Sequence, residues 1–373
     1  MYLKHLELSN FRNYKSLNLE LKPGLNIFIG KNAQGKTNLV ESIYYLSCGS
    51  SYRTVDNKEA ISWDDEIAIV RSRVKIKDKE TFIEIFLPSK GRRKIRVNGS
   101  YLKKISDLWG NLVIVIFSPQ DLDIVRSSPI YRRQFLDKIL NQINPEYRYH
   151  FERYKKILNQ RNSLLKLFHL TNRRKKLINS LDLWNRLMVT SSSLLIIERI
   201  KLLSVLNNMA ACVINKIASG EKLKLYYDTS IHVEEKDKIK DLEVKMLRNL
   251  EAVKKRDISV GATTVGPHRD DIKITLNNKN VRQYGSGGQQ RTVAISLKFA
   301  ELNFYNEKLG QRPILLLDEV LSELDENRRR ALLEMSTEID QTIITSTHYP
   351  QWLKRKKYKI PTFLVENGKI KVW

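Results

Sequence analysis

Cysteine is nearly absent from this chain. Only Cys48 and Cys212 occur in 373 residues, and neither sits in a metal-spacing or redox pattern. That removes a disulfide framework and a structural zinc site, and it fits a reducing compartment. Long apolar runs are missing too. Residues 112–117 and 314–317 are among the longest, far short of the ~20 residues that cross a bilayer. Residues 1–15 mix charge with apolar side chains and hold no apolar leader core, so no signal peptide, no membrane partner and a cytoplasmic location are expected. Internal repeats, sustained heptads and low-complexity tracts are also lacking. Negative charge is scarce: 41 Asp and Glu face 66 Lys and Arg, a formal net charge of +25. Such an excess attracts polyanions, most commonly nucleic acid, although a general solubility charge would give the same total.

Glycine disappears altogether from residues 127–212, and proline occurs there only at Pro129 and Pro145. Apolar residues recur at three and four (Phe135, Ile139, Ile143; Leu183, Leu187; Leu194, Ile197), which predicts a helical segment. Residues 126–180 carry fourteen Lys or Arg against three acids, including the clusters at 132–133, 155–156 and 173–176. That concentration favours a phosphate-backbone footprint. Elsewhere the patterns are shorter. Residues 2–30 read as strands, 38–46 as a helix and 67–97 as a meander, with Arg71, Arg73, Lys75 and Lys77 as a basic stripe along one strand face. Residues 232–256 are charge-dense and read as a solvated helix or linker. The expected division is residues 1–125 and 255–373 as one α/β unit, with 126–254 as an inserted, mostly helical basic arm or lid.

The chemistry lies in four short stretches. Residues 30–37, Gly-Lys-Asn-Ala-Gln-Gly-Lys-Thr, match G-x-x-x-x-G-K-[ST] between an apolar strand and a helix. Backbone N–H groups of Gly30, Lys31, Asn32, Ala33, Gln34 and Gly35 can close around phosphates at a helix N-terminus. Lys36 is placed to reach the β- and γ-phosphates of ATP, and Thr37 to ligate Mg²⁺. Ile314-Leu-Leu-Leu-Asp318-Glu319 is an apolar strand that delivers Asp318 to the metal and Glu319 to the attacking water. Asp325 follows six residues after Glu319. Before that strand come Ser286-Gly287-Gly288-Gln289 and an apolar helix.

That order of elements resembles the ABC ATPases, in which the Ser-Gly-Gly-Gln helix receives the γ-phosphate held by another subunit. The resemblance adds Gln120, in Phe117-Ser-Pro-Gln-Asp, as a reporter of metal and γ-phosphate, and His348 as a γ-phosphate sensor; a surface histidine after a strand is the open alternative. The gap from Lys36 to Ser286 holds a basic helical insertion, as in the SMC-like branch. Across essentially the whole chain the match is to the RecF family: residues 10–14, 51–54, 118–122, 128–137, 264–271 and 285–292 carry it. Ser127 departs from the usual Gly, and His348 stands where many members lack a histidine.

The resemblance implies an α/β, ABC-type (SMC-like) P-loop ATPase head with an inserted helical arm. It further implies ATP and Mg²⁺ as cofactors, ATP-dependent homodimerisation and weak ATP hydrolysis by Glu319, Lys36 and Gln120. DNA gaps and single-/double-strand junctions would be its targets, with RecO and RecR as partners in loading RecA during recombinational repair. The alternatives from the residues alone are a transporter-energising ATPase and a passive DNA-binding module. Arg12 and Asn13 read either as near the nucleotide or as a structural turn, and Arg53 as a phosphate or DNA contact or as a surface residue. Residues 266–270 read as a sensor or as a rigid turn braced by an Arg–Asp pair. Tyr147, Tyr149, Phe151 and Tyr154 read as a packed helix face or a base-stacking row.

Overall fold

The computed structural model describes residues 1–54, 56–168, 170, 174–234, 236–349 and 360–373; for residues 174–176 and 323 only the backbone is described. In chain order the elements are β1 (Tyr2–Phe11), β2 (Tyr14–Glu20), β3 (Gly24–Ile29), α1 (Lys36–Cys48), β4 (Ile67–Ile76), β5 (Lys79–Pro88), β6 (Lys94–Val97), β7 (Ser100–Tyr101) and β8 (Ile114–Phe117). There follow α2 (Asp123–Arg126), α3 (Pro129–Ile143), α4 (Pro145–Leu167), α5 (Arg174–Ile217), β9 (Leu223–Asp228), α6 (Ile239–Ala252) and α7 (Lys254–Val260). The chain continues with β10 (Asp271–Leu276), β11 (Lys279–Asn280), α8 (Val281–Tyr284), α9 (Gly287–Leu309), β12 (Ile314–Asp318), α10 (Glu326–Thr337), β13 (Gln341–Ser346), β14 (Thr362–Glu366) and β15 (Lys369–Val372).

Two compact units result. The first comprises Met1–Leu122, Met209–Lys222 and Ser286–Trp373, and the second Asp123–Asn208 and Leu223–Gly285. Residues 255–285, expected in the C-terminal part of the head, thus fall in the second unit, and the end of α5 falls in the first.

The first unit is built on two sheets. One has the order β15-β14-β3-β13-β12-β8, and every pairing is parallel except β14 with β15. Such a sheet is covered on both faces, which is why Ile314-Leu-Leu-Leu-Asp is buried at all five positions. Its register aligns Asp318 with Thr345, and Thr345 with Phe28, so the C-terminal ends of β12, β13 and β3 finish side by side. In open α/β sheets ligands bind at that edge. The other sheet is antiparallel, ordered β2-β1-β4-β5-β6-β7. Its buried face offers Leu6, Leu8, Val70, Ile83, Ile85 and Ile95, and α1 lies against β1, β4 and β5. The helix α9 is buried on nearly all sides from Thr292 to Tyr305, the mark of a core helix.

Two sequence expectations change here. Lys77 is not in the strand: β4 ends at Ile76 and Lys77 takes a left-handed turn at φ 53°. Arg71 is ion-paired to Glu7 at 2.6 Å and Glu84 at 3.1 Å, so the basic stripe is interrupted by partners on neighbouring strands. Of the two readings for residues 232–256, the helix one holds over residues 239–252, but that helix is not solvated all round. Leu242, Met246 and Leu250 bury one stripe of α6.

The second unit holds α3, α4, most of α5, α6, α7 and the small sheet β11-β10-β9. Several of its cations are structural. Arg161 is fully buried against Asp257 at 2.8 Å, and Arg132 grips Asp271 with contacts of 2.6 and 3.0 Å. The charge excess of residues 126–180 is therefore partly spent inside the fold. The run at 173–176 lies outside the described side chains.

Candidate nucleotide site

The loop between β3 and α1 turns sharply. Ala33 has φ 64°, and Gly35, the N-cap of α1, sits at φ 114°. A Cβ on Gly35 would meet the Asn13 amide at 2.6 Å, so glycine is required twice over, by conformation and by close approach. Lys31, Asn32 and Ala33 are exposed at the loop tip. Gly30 donates its N–H to Ser346 O at 3.3 Å, tying the loop's start to β13. Gln34 is pinned from two sides. Its carbonyl accepts from Asn13 Nδ2 at 3.1 Å and Gly368 N at 3.1 Å, and its side chain from Asn367 N at 2.8 Å. The Tyr14 hydroxyl donates to Gly35 O at 3.0 Å. Asn13 thus braces the loop from the first strand pair.

Lys36 is buried, and its Nζ donates to the carbonyls of Gly30 and Lys31, both at 2.9 Å, while pairing with Glu319 Oε1 at 3.0 Å. Thr37 donates its hydroxyl to Asp318 Oδ1 at 3.1 Å. Asp318 also accepts from Thr345 Oγ1 at 2.8 Å and from Tyr52 OH at 2.8 Å. Burial raises the Asp318 carboxyl pKa above its ordinary value; the three hydroxyls counter this in part, and nearby Glu319 adds to the rise. Burial, followed by the Asp318 charge, pushes the Tyr52 phenol up. Glu319 is held in a left-handed conformation at φ 55°, uncommon for a non-glycine residue. Its N–H donates to Thr345 Oγ1 at 3.0 Å. The oxygen-only donors Thr37 and Asp318 suit a hard divalent cation such as Mg²⁺, and the lysine and unbonded helix-start amides suit phosphate.

Arg12, Arg53 and Ser51 converge elsewhere. Arg12 bonds Glu41 of α1 through two nitrogens at 2.8 and 3.0 Å, Arg53 reaches the same carboxylate at 3.1 Å, and Ser51 at 2.5 Å. Glu41 is completely buried, so both arginines brace α1. Arg53 also donates to Asn38 Oδ1 at 2.9 Å, next to Thr37.

At the start of α9, Ser286 is an exposed N-cap. Its Oγ accepts from Gln289 N at 3.2 Å, and Gln289 Oε1 accepts from Ser286 N at 3.0 Å, a reciprocal capping box. Gln289 Nε2 continues to Glu221 at 3.0 Å. Gly287 is exposed, and Gly288 lies under Arg328. Arg328 bonds both Thr292 of α9 at 2.7 Å and Asp325, the N-cap of α10. Among the described residues no hydrogen bond or ion pair joins residues 286–289 to residues 30–37. Gln120 is exposed just beyond β8. Its neighbour Asp121 accepts from Ser118 N at 2.7 Å and approaches buried Lys298 of α9 at 3.6 Å, so this turn hangs on the α9 helix. His348 is exposed, with Nδ1 2.9 Å from Thr347 Oγ1, and shows no bond to residues 30–37.

Sequence reasoning missed Tyr52 and Thr345 as Asp318 partners, Glu41 as the anchor of Arg12 and Arg53, and the Asp121–Lys298 contact. Only Thr345 carried a visible clue, its place at the end of a strand.

In the second unit, residues 266–270 form a braced turn, as one of the two sequence readings held, but with different partners. Arg199 grips Asp137 at 2.8 Å and donates to Pro267 O at 2.6 Å. Tyr227 donates to Asp270 at 2.7 Å, and Arg269 is exposed. Tyr147 and Tyr154 are buried; Tyr149 is exposed.

Residues 2–371 match the family model described as RecF/RecN/SMC N terminal domain. The chain is 42% identical over 369 residues to "DNA replication and repair protein RecF" of Clostridium tetani, covering 99% of each. It is 42% identical over 375 residues to the protein of the same name from Clostridium botulinum strain ATCC 19397, covering 100% of each. A solved structure described as the recombination mediator protein RecF-ATP in the RecFOR pathway superposes with a TM-score of 0.91 at 34% identity, covering 100% of this chain and 97% of that one. An Smc head domain from Pyrococcus yayanosii shares the fold at a TM-score of 0.58 and 14% identity. With its α/β, SMC-like ABC ATPase fold and full-length similarity to these relatives, the chain belongs to the RecF family.

Proposed function

We propose that this protein is an ATP-gated DNA-binding protein of replication and recombinational repair. Lys36 and the loop amides would hold the phosphates of ATP, and Thr37 and Asp318 would hold Mg²⁺. ATP supplies the γ-phosphate whose presence or loss distinguishes the closed and open states. Glu319, turned back by its left-handed backbone, would orient the attacking water, with slow turnover serving as a release step. The exposed Ser286 cap would close over the nucleotide of a second copy, as part of an ATP-dependent homodimer.

The observation that carries this reading is the convergence of Thr37, Tyr52 and Thr345 on buried Asp318, beside the Lys36–Glu319 contact. An arrangement so closely fixed around two acids and a buried lysine is what a Mg²⁺-nucleotide centre needs. The relatives' description as replication and repair proteins, and the solved ATP complex, support DNA and ATP as ligands. Action at gaps with RecO, RecR and RecA, and a cytoplasmic location, follow from the family resemblance.

The test is fluorescence anisotropy of labelled DNA at several salt concentrations, with ATP, with ADP and with Glu319→Gln. Salt-sensitive binding that requires ATP and persists in Glu319→Gln is expected. Binding indifferent to nucleotide would leave a passive DNA-binding module, and no binding under any condition would overturn the DNA-binding reading.

A further inference from the structure

The outward face of the antiparallel sheet is not a plain solvated surface. On the side of β5 away from α1 stand Phe82 and Phe86, and at the sheet edge Tyr101 of β7. Phe82 is 41% and Tyr101 53% exposed. Each aromatic faces a cation on the neighbouring strand: Phe82 pairs in register with Arg73, Phe86 with Lys94 and Tyr101 with Arg96. The guanidinium of Arg73 lies 5.7 Å from the Phe82 ring centre. That of Arg96 lies 4.2 Å from the Tyr101 ring and 5.5 Å from Phe86, and donates to the Tyr101 hydroxyl at 2.6 Å.

The acids beside these aromatics and cations are already engaged. Glu7 and Glu84 hold Arg71, Glu84 also approaches Arg96 at 3.9 Å, and Glu80 holds Lys4. At the same edge, residues 88–106 contain seven Lys or Arg and no acid.

Rings layered with guanidinium planes beside ammonium groups supply both needs of single-strand recognition. Unpaired bases stack on the flat groups while the backbone follows positive charge. A duplex hides its base faces and could use only the charge. We propose that this sheet face binds single-stranded DNA, with Phe82 and Tyr101 as stacking residues and residues 88–106 along the phosphates. The choice of DNA rests on the function proposed above. The face belongs to the first unit.

The test uses the full-length protein, a fluorescein-labelled oligo(dT) and a duplex of equal length, titrated by anisotropy with ATP and Mg²⁺. Phe82→Ala and Tyr101→Ala are each expected to weaken oligo(dT) binding by about 5- to 100-fold, with duplex binding unchanged and Tyr101→Phe close to wild type. Equal losses on both DNAs, or no loss on oligo(dT), would overturn the proposal. Circular dichroism melts identify a variant that fails to fold. In that event photocrosslinking of 5-iodouracil-substituted oligo(dT) to the wild-type protein decides, with adducts at Phe82 or Tyr101 expected and adducts confined to the second unit refuting it. Duplex binding without oligo(dT) binding would sink the stacking face and leave the proposed function standing. Absence of both would sink both.

Discussion

Three hydroxyls, from Thr37, Tyr52 and Thr345, point at one buried carboxylate. Two of them share Oδ1, and Tyr52 alone takes Oδ2, so Tyr52 fixes the rotation of the group. Tyr52→Phe keeps the ring and removes that donor. A hydrogen bond to a charged group contributes about 1.5–3 kcal/mol. Titration of a fluorescent ATP analogue with Mg²⁺ should therefore show affinity reduced about tenfold or more, together with a melting temperature lowered by a few degrees. An unchanged affinity would show that Asp318 is oriented by the threonines alone. His268 is the second residue with a direct consequence. Burial pushes its imidazole pKa down to about 4, and it rests between Tyr154 OH at 2.6 Å and Thr263 O at 3.0 Å. The fold thus prefers neutral histidine. Its contribution is complete above an unfolded pKa near 6.5 and is lost as pH falls toward 4, a loss on the order of 3 kcal/mol at most. Asp270, whose carboxyl pKa is raised chiefly by burial, works in the opposite sense. Urea denaturation at pH 7 and pH 4.5 should show a smaller acid-induced loss for His268→Gln than for wild type; equal losses would remove His268 from the account.

At the scale of elements, the strand–loop–helix at residues 24–48 was legible because its cues are local: an apolar strand, a glycine-bounded loop and Lys36-Thr37 at a helix start. The short strand β12 and the capped start of α9 were legible for the same reason. What holds them was not. Tyr52 lies 266 residues from Asp318, and Asn367 333 residues from Gln34, and no periodicity links positions so far apart. The basic stripe on β4 failed for a related reason. Alternation identifies a strand face, but only the neighbouring strands reveal that Glu7 and Glu84 take up Arg71. The helical insertion was visible in its apolar spacing. That Arg132, Arg161 and Arg199 serve as internal braces was not, since buried and exposed arginines look alike in sequence. Arg199 joins α5 to α3 through Asp137 and to residues 266–270 through Pro267 O. Arg199→Leu leaves Asp137 in a buried setting without its partner, which costs about 3–5 kcal/mol. Chemical denaturation should show that loss, and a change under about 1 kcal/mol would mean that the bridge is dispensable.

On the scale of the whole molecule, the account turns on a division of labour between copies. Within one chain, residues 30–37, Asp318 and Glu319 form a connected set, while the exposed cap at Ser286 bonds only within its own neighbourhood. Under the function proposed above, a site so divided would be completed when a second copy supplies the cap. On the same reading, hydrolysis would follow assembly, and nucleotide state would control how two basic surfaces are presented to DNA. The measurement that tests this most directly is sedimentation velocity of Glu319→Gln with ATP and Mg²⁺, alone and combined with Ser286→Arg, alongside titration of a fluorescent ATP analogue. The account predicts an ATP-dependent dimer for Glu319→Gln, and a monomer that still binds nucleotide when Ser286→Arg is added. A dimer that survives Ser286→Arg, or a monomer in every nucleotide state, would contradict it.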